Sequence, residues 1–178
     1  MLTHIIEDTR NKIDKNTHIR EYFEQQGIQL IRTKMLVGDF TLPTKQDVCI
    51  DLKKDIQELI GDLTSQHERF QRELQLSKQC NIKLIILIQD EKVTCINDLY
   101  TWYNWRLKKS PKATKGSTLA KMLYTIEHNT EDYNCQFIFT KKSECGAKIL
   151  ELLLNDEVQS NGLWFNNKNF WWHVKKRN

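Results

Sequence analysis

Asp39, Asp51 and Lys53 are the residues of this chain whose types and spacing best support chemistry. Cys49, Asp51 and Lys53 alternate, so on a β-strand they share one face while Ile50 and Leu52 share the other. Asp39 stands late in the preceding short apolar run, within Val37-Gly38-Asp39-Phe40, and a turn at Pro43 separates the two runs. Two carboxylates and an ammonium would then converge where neighbouring strands end. Hard divalent cations take carboxylate oxygens, and a lysine beside them can hold an attacking water or the charge that builds on a phosphate. That is the chemistry of metal-dependent phosphodiester cleavage. Asp-x-Lys alone is most often a solvated strand end. Its weight here comes from order: Gly-Asp-Phe, a turn, the Asp-x-Lys run and a long amphipathic stretch follow one another.

The elements that must position these residues can be read in sequence. Residues 3–7 form a first strand, and residues 17–26 a helix with Ile19, Tyr22 and Phe23 on one face and Gly27 as its stop. Residues 28–32 and 35–42 are two tightly joined strands, a hairpin with a bend or bulge at Gly38, and residues 46–53 complete the meander. Residues 55–80 are predicted as one long helix burying Ile56, Leu59, Ile60, Leu63, Phe70, Leu74 and Leu76. The run 82–88 is continuously apolar, the pattern of a strand buried on both faces. A helix over 117–128, a strand over 135–139 and a helix over 143–154 extend the same sheet. This order predicts an α/β fold, a mixed β-sheet with flanking helices, and by fold analogy a restriction-endonuclease-like core.

The chain has 178 residues, 39% hydrophobic and 28% charged, which describes a globular protein of one domain with an appendage. We expect the domain over 1–155 and the appendage over 156–178. In the latter, Gly-Leu-Trp-Phe and Phe-Trp-Trp-His-Val flank an Asn-rich turn, a C-terminal aromatic β-hairpin-like tail. No apolar run reaches membrane-spanning length, and no secretory signal opens the chain, so a cytoplasmic location is expected. Five cysteines without a Cys-x-x-Cys pair read as reduced core residues.

The net charge of +4 is mild, but its distribution is uneven. Residues 99–126 contain six basic residues and no acid, and only basic charges follow Glu157. Arg106, Lys108, Lys109, Lys112 and Lys115 lie in a loop punctuated by Pro111 and Gly116, and suit a phosphate backbone; solvated lysine loops are the alternative. The aromatics just before them, Trp102 and Trp105 included, could stack bases, but core or hinge positions are the better reading. His67 and Glu68, on the helix after the Asp-x-Lys strand, are possible accessory groups for proton transfer. Lys115-Gly116-Ser117-Thr118 lacks the glycines and the Gly-Lys-Ser/Thr order of a P-loop, so no nucleotide cofactor is expected. No Gly-x-Ser-x-Gly is present to support acyl chemistry.

Asp8-Thr9-Arg10-Asn11, Gly38-Asp39-Phe40, Asp51-Leu52-Lys53, Glu58-Leu59 and Arg69-Phe70, in that order, resemble the XPF-type nuclease domain of the PD-(D/E)XK superfamily. Together with Ser110-Pro-Lys-Ala-Thr-Lys-Gly116, they look most like its short stand-alone phage and prophage members. The resemblance covers about residues 5–154. In that family the first motif is Asp-x-Arg-Glu and the third Glu-Arg-Lys, so Asn11 and Leu52 are departures.

The resemblance implies a Mg²⁺- or Mn²⁺-dependent DNA endonuclease in a bacterial host or encoded by a phage. Asp39, Asp51 and the Leu52 carbonyl would hold the metal, with Asp8 a further catalytic acid and Lys53 placing the water or stabilising the phosphate. Arg10, Arg69 and the loop cations would hold DNA. Branched or flapped DNA as substrate, and pairing as a homodimer or with a hetero-partner, follow by analogy. Two alternatives stand beside it: a catalytically inactive DNA-binding scaffold, and a Holliday-junction resolvase or nickase on the same core.

Overall fold

Leu84, Ile86 and Ile88 belong to one apolar cluster and Ile85 and Leu87 to another, because successive residues of a strand face opposite ways. In the computed structural model, which describes residues 2–154, this strand sits inside a six-stranded mixed sheet. The strands are β1 (His4–Asp8), β2 (Gln29–Thr33), β3 (Phe40–Leu42), β4 (Lys45–Lys53), β5 (Lys83–Gln89) and β6 (Cys135–Thr140), in spatial order β2-β1-β3-β4-β5-β6. Among the described residues five α-helices cover it: α1 (Thr17–Gln25), α2 (Ile56–Leu63), α3 (His67–Gln79), α4 (Gly116–His128) and α5 (Cys145–Leu154). Cys49 and the even residues of β5 pack with α2, α3 and α4. Ile50, Leu52, Ile85 and Leu87 pack with α1 and α5. Each side chain fully buried in these layers contributes about 1.5–3 kcal/mol. The α/β fold with a mixed sheet is thus as expected, and the buried-both-faces reading of 82–88 holds for β5.

Three local expectations change. Residues 28–32 do not form a hairpin with the next run. β2 pairs parallel with β1, His4 opposite Gln29, at the sheet edge, and α1 is the crossover that a parallel pair requires. Only Phe40–Leu42 of the expected strand 35–42 is extended. Residues 34–39 instead carry the chain from β2 past the end of β1 to β3, which runs antiparallel to β1 and β4. Finally, the long helix is two helices. Thr64 Oγ1 donates to the Ile60 carbonyl at 2.6 Å and Ser65 Oγ to the Gly61 carbonyl at 3.1 Å, and these local bonds compete with helical continuation. The aromatic tail lies outside the described residues.

This topology has one consequence for function. β1, β4, β5 and β6 end, and β3 begins, at the same edge of the sheet. Asp8, Asp39, Asp51 and Lys53 all stand at that edge, the usual place for a site in a sheet with parallel strands.

Candidate active site

Asp39 is set by the turn before it. Gly38 has φ +71°, and a Cβ there would stand 3.0 Å from the Ile50 carbonyl oxygen, so only glycine lets the chain lie this close to β4. The Asp39 amide donates to that same Ile50 carbonyl at 2.7 Å, and the Leu52 amide donates to Asp39 Oδ2 at 2.8 Å. The side chain is thereby fastened to the residue between Asp51 and Lys53. Both of those are buried, 7% and 5% exposed, on the β4 face that meets α2 and α3.

The two helices supply groups that sequence reasoning missed. Lys53 Nζ lies 2.6 Å from Asp51 Oδ2 and 2.6 Å from Asp62 Oδ2, as ion pairs and not well-directed hydrogen bonds, and 5.5 Å from the centre of the Phe70 ring. Asp62 also accepts from Arg69 Nη2 at 2.8 Å, so the predicted phosphate ligand Arg69 is tied through Asp62 to Lys53. Glu73 on α3 accepts from the Gly38 amide at 3.1 Å. A signal existed for both acids: each interrupts an otherwise apolar helical stripe, Asp62 beside Leu59 and Leu63, and Glu73 beside Phe70 and Leu74.

Charge in this cluster is poorly balanced. Burial, and then the neighbouring Asp51 carboxylate, push the Asp39 carboxyl up to about 8. Burial and Asp51 likewise raise Glu73. Burial works to lower the Lys53 pKa, but the Asp51 and Asp62 carboxylates outweigh it, so Lys53 is held more firmly as a cation.

Asp39, Asp51, Leu52, Lys53, Arg10 and Arg69 all line one open cleft of about 210 Å³, together with Asn11, Lys15, Lys54, Glu58, Asp62 and Glu73. Asp8 does not line it. Its carboxylate, 1% exposed, takes bonds from the Arg10 amide (2.6 Å), the Arg10 guanidinium (2.7 Å) and the Met35 amide (3.0 Å). Burial acts to raise Asp8, but these partners bring it below the ordinary aspartate value. Asp8 is thus placed to aim Arg10 and hold the crossing segment. His67 and Glu68 are exposed on the first turn of α3 and do not line the cleft.

Arg106, Lys108, Lys109, Lys112 and Lys115 are exposed on a separate segment, Arg106 and Lys108 on a 3-10 turn over Trp105–Lys108 and the rest on the loop that follows. Asn104 fastens its base: its Oδ1 accepts from Gln57 Nε2 of α2 at 3.0 Å, and its Nδ2 donates to the Thr114 carbonyl at 2.8 Å. Trp102 is half-buried against the core, one of the two positions expected for it, whereas Trp105 is 53% exposed and is not a core residue.

Among the described residues no three His, Cys, Asp or Glu side chains form a ready-made metal cage. The donor set nevertheless fits Mg²⁺ or Mn²⁺. Mg²⁺ is usually held by one or two carboxylates plus waters and substrate phosphates, and a cation beside Asp39 and Asp51 would relieve the repulsion that raises Asp39.

The structure is similar to that of XPF from Aeropyrum pernix, with a TM-score of 0.56 and 15% identity over 84% of this chain and 59% of that one. It is also similar to XPF from Aeropyrum pernix in complex with DNA, with a TM-score of 0.58 and 12% identity over 85% and 63%. The chain therefore spans about three fifths of the length of those proteins, and at such identities the likeness is one of fold. No curated protein sequence matches the chain. The ERCC4 domain family model matches residues 8–153, from the aspartate that aims Arg10 to the last turn of α5, and the chain belongs to that family.

Proposed function

We propose that the chain is a metal-dependent DNA endonuclease whose active site is the cleft at the ends of β3 and β4. The observation that carries this reading is the fastening of Asp39 to the Leu52 amide, which sets two carboxylates beside the buried ammonium of Lys53. Asp39, Asp51 and the Leu52 carbonyl would hold Mg²⁺ or Mn²⁺. Such a cation supplies a Lewis acid that makes water a nucleophile at neutral pH and screens charge on the scissile phosphate. Lys53, held as a cation, is unsuited to accept a proton and suited to stabilise the charge that develops on the phosphate. Arg10, Arg69 and the loop cations would contact the DNA backbone, giving affinity that falls with salt and little base preference.

The ERCC4 family membership and the XPF–DNA complex of similar fold support DNA as the partner. Branched or flapped DNA as substrate, phage DNA processing as setting, a dimeric assembly and a domain boundary near residue 155 belong to the same proposal, on the resemblance of the motifs. The test is cleavage of labelled branched, flapped and plain duplex DNA with Mg²⁺ or Mn²⁺ by wild type, Lys53→Ala and Asp51→Asn. Cleavage lost in both variants while binding persists is the expected result. Binding without cleavage in all three proteins would favour a DNA-binding scaffold.

A further inference from the structure

Of the aromatic residues that precede the basic loop, Tyr103 and Trp105 are not core residues, and together they form an exposed ledge. Tyr103 is 59% exposed and Trp105 53%, while Asn104 between them is 1% exposed. Asn104 is the N-cap of a short 3-10 turn over Trp105–Lys108, and its own side chain is turned inward while the residues on either side of it are exposed. The ledge is rigidly based. Asn104 bonds to α2, to the Thr114 carbonyl and, through Oδ1, to the Arg106 amide at 3.1 Å. Behind it, α4 abuts the chain so closely that a Cβ on Gly116 would run into the Leu99 and Trp102 carbonyls. The Arg106 guanidinium lies 5.6 Å from the centre of the Trp105 ring, a cation–π contact that steadies an exposed indole.

Tyr103 and Trp105 offer two flat apolar faces to a partner, and the charge along the adjoining chain says which. Arg106, Lys108, Lys109 and Lys112 follow the ledge directly, and residues 99–126 contain no acid. A second copy of the chain meeting this face about a twofold axis would bring like charges together. A polyanion with flat apolar faces would not. Base pairs stacked within a duplex have those faces covered, whereas unpaired bases offer them. The base of the ledge is joined through Gln57 to α2, the helix that also carries the cleft residues Glu58 and Asp62.

We propose that Tyr103 and Trp105 form a stacking site for unpaired bases of single-stranded DNA, with Arg106, Lys108, Lys109 and Lys112 holding the phosphates of the same strand. This rests on the DNA reading above and adds to it a subsite that separates unpaired from paired strands.

The test is fluorescence anisotropy of labelled oligo(dT) and of blunt duplex, on the full chain without divalent cation, so that cleavage plays no part. Trp105→Ala and Tyr103→Ala are each expected to weaken oligo(dT) binding about tenfold and leave duplex binding unchanged. Trp105→Phe, which keeps a stacking face, is expected to bind close to wild type. The paired change Lys108→Ala and Lys109→Ala should weaken both ligands and flatten the salt dependence by about 1–2 in log–log slope. Wild-type oligo(dT) binding by Trp105→Ala and Tyr103→Ala would overturn the proposal. So would equal losses on the two DNAs, or sedimentation showing that these variants dissociate a dimer. A chain that never cleaves DNA but keeps the Trp105-dependent preference for oligo(dT) would end the nuclease reading and leave this one standing.

Discussion

Lys53 Nζ lies 2.6 Å from Asp62 Oδ2, a carboxylate carried by α2 and not by the strand that bears the lysine. Asp62 is therefore the link by which a helix holds the end of the Asp-x-Lys strand, and through Arg69 it reaches the next helix as well. Both partners are buried, 5% and 4% exposed.

Removing the lysine should be the costlier change. Lys53→Met leaves Asp51 and Asp62 without their shared cation, and breaking a buried pair in this way costs about 3–5 kcal/mol. Asp62→Asn leaves Lys53 paired with Asp51 and should cost less, about 1–2 kcal/mol. Urea unfolding of both single variants and the double variant measures the coupling. Unchanged midpoints in both single variants would mean that the bridge contributes nothing.

Asp39 makes stability depend on pH in an unusual direction. An unfolded aspartate titrates near 3.9, whereas burial and Asp51 hold Asp39 at about 8 in the fold. Between these values the folded chain binds more protons than the unfolded chain, so this group's contribution falls as pH rises from about 4 to about 8. The metal-free protein should accordingly unfold at higher urea near pH 5.5 than near pH 8, other groups being equal. Asp39→Asn should flatten that slope. An equal slope in wild type and variant would show that Asp39 ionises normally.

Gly38 and Gly27 both have positive φ, +71° and +69°, but only Gly38 lies against a neighbour. Gly27→Ala adds backbone strain of roughly 1–2 kcal/mol. Gly38→Ala adds that strain and also a contact 3.0 Å from the Ile50 carbonyl and 3.1 Å from Cys49 Cβ. It should therefore destabilise more, and it should reduce DNA cleavage even where the protein remains folded, because the Asp39 carboxyl moves with the turn. Equal midpoints for the two variants would remove the close approach to β4 as the reason for a glycine at position 38.

How far the site could be read in advance follows from where its groups come from. Asp51 and Lys53 were legible because strand periodicity alone puts them on one face with Cys49, and Asp39 because a glycine precedes it. The apolar run of β5 was legible for the same reason, as its residues alternate between two buried layers. Asp62 and Glu73 are marked in the sequence only as acids that interrupt apolar stripes, and the site they meet is fixed only once the helices are docked on the sheet. The apolar Met35, Leu36 and Val37 read as strand, and only the pairing of β2 with β1 shows that 34–39 is a crossing. The split between α2 and α3 lies in hydroxyls that bond back to carbonyls, a choice that apolar spacing does not record. Trp105 is exposed while the polar Asn104 before it is buried, the reverse of what residue type alone suggests.

Divalent cation should stabilise the folded chain, and the variants should separate ligand from bystander. At a hundredfold excess over its dissociation constant a ligand adds about 2.7 kcal/mol, which for a domain of this size raises Tm by about 5 °C or more. Mn²⁺ should produce such a shift in wild type. Asp39→Asn removes one of two mutually repelling acids, so its metal-free Tm at pH 8 should equal or exceed that of wild type while its Mn²⁺ increment falls. His67→Ala, outside the cleft, should keep the full increment. A shift retained in both Asp39→Asn and Asp51→Asn would locate the cation elsewhere on the chain, and the acids at the ends of β3 and β4 would then need another role.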